Sequence, residues 1–291
     1  MQTVTSISGG RSSAYCATNY PTDHNVFSLV RTSDKSCLYP DKKLRAIVED
    51  RIQMPFVGTL EDDLIIHTIL DLEQFLGRKI EWVSGITFDE VVDTKGTYLP
   101  NKFRRYCTTH LKIAPIFEWW FENFNEPVDM HIGYRSDEGR RIQKKLDACN
   151  RNGFLEYRTT FEKHTKGRHK GQNKWVSMEW QRPVFPMAID LVIKPVVNSF
   201  WEGKAVRFAP LNNCVGCFHR NPMLLGMMFV DHPQKMGWFE SQEIKKRGIR
   251  NDATWRSDVN YSDIRSHSKK GFYQLLDHSD FSECDSGYCG L

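Results

Sequence analysis

Apolar positions in the first half of the chain follow two alternating rhythms. Short runs at residues 4–7 (VTSI), 26–30 (VFSLV), 80–83 (IEWV) and 128–132 (VDMHI) have the length and β-branched content of strands. Between them, residues 12–19, 42–51, 62–76 and 113–124 space their apolar side chains as helices do. The clearest of these is 62–76, where Leu64, Ile65, Ile69, Leu72 and Leu76 share one face and Gly77 supplies the stop. Strands alternating with helices predict an α/β fold, a parallel sheet flanked by helices. Ligands in such sheets sit at the carboxyl ends of the strands.

Beyond about residue 150 the rhythm fails. Residues 163–174 (KHTKGRHKGQNK) are polar, basic and Gly-containing, and read as an exposed loop. Residues 189–201 return to a helical pattern with Pro195 in the first turns, and residues 211–222 offer little repetitive structure. The remainder, rich in Cys, Gly, His and Trp, reads as an irregular subdomain held by side-chain ligation. The expected division is an α/β domain over 1–150 and a C-terminal subdomain over 151–291, carrying the basic loop and a cysteine cluster. Trp119, Trp120, Phe121 and Phe124 are expected to build core.

Chemistry enters at the first turn. Ser8, Gly9, Gly10, Arg11, Ser12 and Ser13 follow a strand and open a helix. Two glycines allow a tight turn that exposes backbone N–H groups, the helix N-terminus adds partial positive charge, and the serines add hydroxyls. That combination suits an oxyanion, although Ser-Gly-Gly is also a common capped turn. Charge changes the picture little: 40 basic against 36 acidic residues leave +4, too mild to diagnose a nucleic-acid partner. Eight cysteines change it more, because in a cytoplasmic chain they favour metal, cluster or thiol chemistry over disulfides. The cytoplasm is the expected location and no membrane is an expected partner. No apolar stretch is long enough to span a bilayer, and the first residues show no basic region followed by an apolar one.

Three blocks in order resemble the adenine-nucleotide alpha-hydrolase superfamily, and most nearly its phosphoadenosine phosphosulfate (PAPS) reductase-like families. The first is the turn at residues 8–13, similar to the superfamily's S-G-G-x-D-S but with Ser12 at the Asp position. The second runs from Arg104 and Arg105 through Tyr106, Cys107 and Lys112 to Pro115, and resembles R-x-C-C-x-x-x-K-x-x-P with one cysteine in place of two. The third, Gly133-Tyr134-Arg135-Ser136-Asp137-Glu138, resembles G-x-R-x-x-[EQS] after the fourth strand. The resemblance implies ATP or PAPS bound by the first turn. It places Thr32 and Ser33 near adenine or ribose, and Arg135 over the crevice as a bidentate phosphate or sulfate ligand. Lys112 and one of Arg104 or Arg105 would neutralise the remaining charge. Ser12 removes a carboxylate that helps hold Mg2+, so the need for that ion is open. Arg140, Arg141, Lys144 and Lys145 read as a solvated helix face.

The cysteines leave two ligand sets open. Cys214 and Cys217 form a C-x-x-C between Pro210 and Pro222, while Cys284 and Cys289 form a late pair. Cys214, Cys217, Cys284 and Cys289 would make a closed tetrathiolate for structural zinc. Cys107, Cys214 and Cys217, with or without Cys284, would instead hold an iron–sulfur cluster, the set that the family comparison favours. His219 is a candidate substitute ligand, and Cys16, Cys37 and Cys149 read as ordinary thiols. The ending Tyr288-Cys289-Gly290-Leu291 resembles the Glu-Cys-Gly-Leu-His tail of sulfonucleotide reductases without its Glu and His.

Together these readings predict an adenine-nucleotide enzyme of sulfur metabolism or sulfur transfer. In a reductase, Cys289 attacks the sulfonucleotide sulfur and a thiol partner resolves the intermediate. In a thiolation enzyme, ATP activates a carbonyl of a base or small molecule and cluster-bound sulfide displaces AMP, with a sulfur-donor protein as the partner. The alternative is a catalytically silent nucleotide-sensing or nucleic-acid-binding module with structural zinc. For nucleic acid, Lys163, Lys166, Arg168, Lys170 and Lys174 supply charge, and Trp175 and Trp180 supply rings. A homodimer is compatible with all of these.

Overall fold

The computed structural model describes residues 1–96, 98–166, 168–245 and 253–268. In chain order the elements are β1 (Thr3–Ile7), α1 (Arg11–Asn19), β2 (His24–Ser28), α2 (Lys42–Ile52), α3 (Leu64–Leu76), β3 (Glu81–Val83) and α4 (Phe88–Thr94). A short α5 (Tyr106–Thr108) runs through a π-helical turn, Thr109–Ile113, into α6 (Ala114–Asn123). Then come β4 (Val128–Ile132), α7 (Gly139–Asp147), β5 (Leu155–Lys163), β6 (Asn173–Val184), α8 (Pro186–Ile189) and α9 (Lys194–Trp201). The described chain closes with α10 (Pro222–Asp231), α11 (Pro233–Ile244) and α12 (Tyr261–Ser268).

The fold is α/β, with helices flanking a six-stranded sheet of order β3-β2-β1-β4-β6-β5. Pairs β1–β4, β2–β3 and β4–β6 are parallel, and β5 is antiparallel to β6. The apolar runs of the first half are the strands, and α3 stops at Gly77 with φ 59° in the left-handed region. Residues 155–184 depart from the irregular structure expected there. Leu155, Tyr157 and Phe161 on one strand, and Val176, Met178 and Trp180 on the other, keep a period of two that interspersed charges hide. The segment expected as a loop is therefore the end of a hairpin, with Lys163 closing β5 and Asn173 opening β6.

The chain forms two compact units. The first comprises Met1–Ile7, Ser12–Asn25 and Phe117–Glu202; the second comprises Ser8–Arg11, Val26–Ile116 and the described residues from Gly203 onward. Residue 150 lies inside the first, so the units interleave along the sequence instead of dividing there.

In the first unit the ring of Phe117 stacks on Tyr157 at 4.3 Å and meets Trp180 edge-on at 5.7 Å. On the N-terminal side of Gln181, β6 does not pair with β4, so Asn173 to Trp180 and their β5 partners form a two-stranded arm. Two register shifts, at Leu155/Glu156 and Thr160/Glu162, interrupt the arm's ladder.

The second unit packs α10, α11 and α12 around an aromatic group. Trp255 is fully buried among Phe88, Trp238, Phe239 and Tyr261, and its indole N–H donates to the Phe239 carbonyl at 2.8 Å. The Glu243 carboxylate accepts the backbone N–H groups of Trp255 at 3.0 Å and Tyr261 at 2.6 Å, tying this segment to α11. Trp255→Ala should cost about 3–5 kcal/mol by urea denaturation, the usual cost of emptying an aromatic core site. Trp175→Ala should change stability by less than about 0.5 kcal/mol, because that ring is half exposed.

Candidate functional site

The Gly-rich turn joins β1, which ends at Ile7, to α1, which opens at Arg11. Gly9 sits at φ 79°, and a Cβ there would lie 2.7 Å from the Ile65 side chain, so both conformation and space select glycine. Gly10 lies beside Asn212, whose amide nitrogen would be 2.5 Å from an added Cβ. Arg11 is exposed, and its guanidinium rests over the Phe208 ring at 5.7 Å. Ser8 is half-buried and Ser13 buried.

Within the first unit, the block after β4 meets the start of α1. Gly133 packs against its backbone so closely that a Cβ would sit 2.7 Å from the Ser13 Cα and 2.8 Å from the Ser12 carbonyl. Arg135 donates to the Ser12 hydroxyl at 2.9 Å, which joins two of the three sequence blocks directly. Arg135 is itself buried. It is 4% exposed, and it pairs with Asp137 at 2.9 Å and Glu138 at 3.5 Å. Arg141, read from sequence as solvated, is half-buried, pairs with Glu138 and covers the Tyr134 ring at 4.2 Å.

The cations of the second block are likewise engaged inside the protein. Lys112 is buried, and its ammonium donates to the Glu61 carboxylate at 2.9 Å. Lys235 donates to the Glu61 carbonyl at 2.6 Å and to Asp63 at 2.7 Å. Thr32 is buried, bridges Gly58 and donates its hydroxyl to Asp89 at 2.7 Å. Arg105 is half-buried and reaches the Thr108 hydroxyl at 3.4 Å.

Cys107, Cys214 and Cys217 line one small cavity together with Arg105, His219 and Phe239. The structure thus gathers three of the four expected ligands and the substitute histidine, while Cys284 and Cys289 lie outside the described residues. Clustered thiols suit a soft metal. Among the described residues, however, no three His, Cys, Asp or Glu side chains stand close enough to hold an ion. Cys16 behaves differently: it is fully buried, and burial pushes its thiol up to about 12. Burial likewise pushes Cys37 up to about 11, outweighing the hydrogen bond from Ser36.

The C-x-x-C loop is held by side chains that sequence reasoning missed. Arg220 is fully buried and donates to the carbonyls of Asn212 at 2.9 Å and Cys214 at 3.1 Å. Arg256 donates to the carbonyls of Phe218 at 2.9 Å and Arg220 at 2.8 Å. The Tyr261 hydroxyl, kept protonated because burial raises it well above its ordinary range, donates to the Gly216 carbonyl at 2.9 Å. Val215 adds a backbone bond to Leu60 at 2.9 Å. These donors satisfy the carbonyls of a segment without regular structure, so its order does not require coordination. A polar loop carrying one arginine beside the apolar start of α10 was the only sequence signal.

In comparisons with known proteins, no family, no curated protein and no solved structure matches the chain.

Arg220→Ala should lower stability by more than about 3 kcal/mol in urea, because several buried carbonyls lose their donor at once. Lys112→Met should cost about 3–5 kcal/mol by stranding the Glu61 carboxylate, and adding Glu61→Leu should recover most of it. Iodoacetamide at neutral pH should leave Cys16 and Cys37 unmodified in the folded protein, since thiolate is scarce when the thiol is pushed up. Mass spectrometry of the digested protein reads this out.

Proposed function

We propose that this chain binds an adenine nucleotide, ATP or PAPS, at residues 8–13, and that it is an enzyme of sulfur chemistry similar to the PAPS reductase-like group. One observation carries the reading: β1 runs through Gly9 at φ 79° directly into α1, with Arg135 donating to Ser12 at its first turn. A turn of that kind directs backbone N–H groups and a helix N-terminus at an oxyanion. Arg135 acts in this reading as a positioning residue, fixing the Ser12 hydroxyl that stands where the superfamily has an Asp.

The cavity supports the sulfur half of the reading. Cys107, Cys214 and Cys217 share it, which favours thiolation over a reduction that needs Cys289 alone. An iron–sulfur cluster or zinc held there would supply a sulfur carrier or a structural clamp respectively. The chain's own contribution is an apolar, arginine-braced pocket lined by the three thiols, which would have to draw closer to share one ion.

Calorimetry with ATP, ADP and PAPS tests the nucleotide. At least one should bind below about 1 mM, and Gly10→Val should weaken it at least about tenfold, or 1.4 kcal/mol. A folded parent that binds none of the three refutes the reading. Protein purified without oxygen or chelators should carry iron with acid-labile sulfide, and Cys217→Ser should lose it. Zinc alone at one per chain would support the silent module, and no metal would return the three cysteines to ordinary thiols.

A further inference from the structure

We propose that the β5–β6 arm is a binding surface for single-stranded nucleic acid. The arm belongs wholly to the first unit, and the proposal is independent of what the Gly-rich turn binds. Its first support is charge. Residues 163–174 carry Lys163, Lys166, Arg168, Lys170 and Lys174, with no Asp or Glu. All of these cations are exposed. That surplus of five is larger than the whole chain's net +4, so the rest of the molecule is close to neutral and the positive field is concentrated here. Lys174 reaches Glu162 at 3.4 Å, an exposed pair that phosphate can compete for.

The second support is aromatic. Trp175 is 51% exposed and Phe161 56% exposed, unusual for rings on strands that have a core within reach. Trp180 is buried against Phe117 and Trp120 and belongs to that core, so it is not part of the surface. The Arg158 guanidinium lies over the Trp175 ring at 5.3 Å, on the strand paired with it. An exposed indole with a guanidinium beside it offers a base two flat surfaces and a charge at once.

Backbone geometry gives the third support. The arm runs past the end of β4, so one two-stranded ribbon carries rings along its length and cations at its tip. Phosphates of a single strand would follow the tip while unstacked bases meet Trp175. A duplex keeps its base faces covered and gains only the charge. An anionic membrane or an acidic protein also meets the charge but offers no run of unstacked bases to Trp175.

Fluorescence anisotropy of labelled oligothymidylate and oligouridylate tests this, using the full-length protein without ATP. Binding should weaken linearly in log–log plots against salt. Replacing Lys163, Lys166, Arg168 and Lys170 by Gln should flatten the slope by about 0.7 for each phosphate that is no longer neutralised. Trp175→Ala should lower affinity about tenfold while leaving circular dichroism and the urea midpoint unchanged. A duplex of the same length should bind more weakly and be indifferent to Trp175→Ala. Equal affinity for duplex and single strand, or no effect of Trp175→Ala, overturns the proposal in favour of a generic cationic surface. Binding only to phosphatidylserine vesicles, or to none of these probes, overturns it as well. Calorimetry with ATP on Trp175→Ala should match the parent, so failure of the arm and failure of the nucleotide reading are separately visible.

Discussion

Two buried guanidinium groups determine what the cysteine loop can be. Residues 212–220 have no helix or strand to satisfy their carbonyls, and burying such groups unpaired costs about 1–3 kcal/mol each. Arg220 and Arg256 supply the donors from within the protein, and Tyr261 closes the set at Gly216. Arginine suits this role because its planar fork reaches several acceptors from one fixed position. Placement of Cys214 and Cys217 beside Cys107 follows from that clamp and from the Leu60 and Glu61 backbone that meets the loop.

The same economy governs the cations of the family-like blocks. Lys112 neutralises Glu61, and Arg135 is matched by Asp137 and Glu138. A buried cation without a carboxylate would lose more solvation energy than its hydrogen bonds return, so partners accompany it. Their consequence for the proposed phosphate would be indirect. In the proposed site, charge at the turn would come from backbone N–H groups, the α1 terminus and the exposed Arg11, with Arg135 holding Ser12 in place. An anion bound in this way needs no unpaired cation in the resting protein.

The β5–β6 arm has the opposite character. Its cations face solvent without such a cage, and its rings stay half exposed where α6 ends its cover. Phe121 and Phe161 stack at 4.9 Å but are themselves 44% and 56% exposed, marking the limit of the apolar support. The unit thus separates a packed sheet, which fixes position, from a ribbon whose Tyr157 and Phe161 lean on α6 while Trp175 and the tip cations face solvent.

Local features were legible in the amino-acid order alone. The short apolar runs at β1 and β4, the helical face of α3 with its Gly77 stop, and the Gly9 turn follow from side-chain spacing and backbone sterics. The α/β class followed from their alternation. Strands β5 and β6 were hidden because a sheet edge that extends past its neighbour tolerates charge at positions a central strand must keep apolar. The roles of Arg135, Lys112, Arg220 and Arg256 were settled only when the chain folded. A cation's sequence neighbours do not reveal whether its partner is a carboxylate, a carbonyl or a ligand, because those partners come from distant segments. Glu61 lies 51 residues from Lys112, and Arg256 lies 38 from the Phe218 carbonyl. Burial makes such pairings obligatory, and burial is a property of the folded chain.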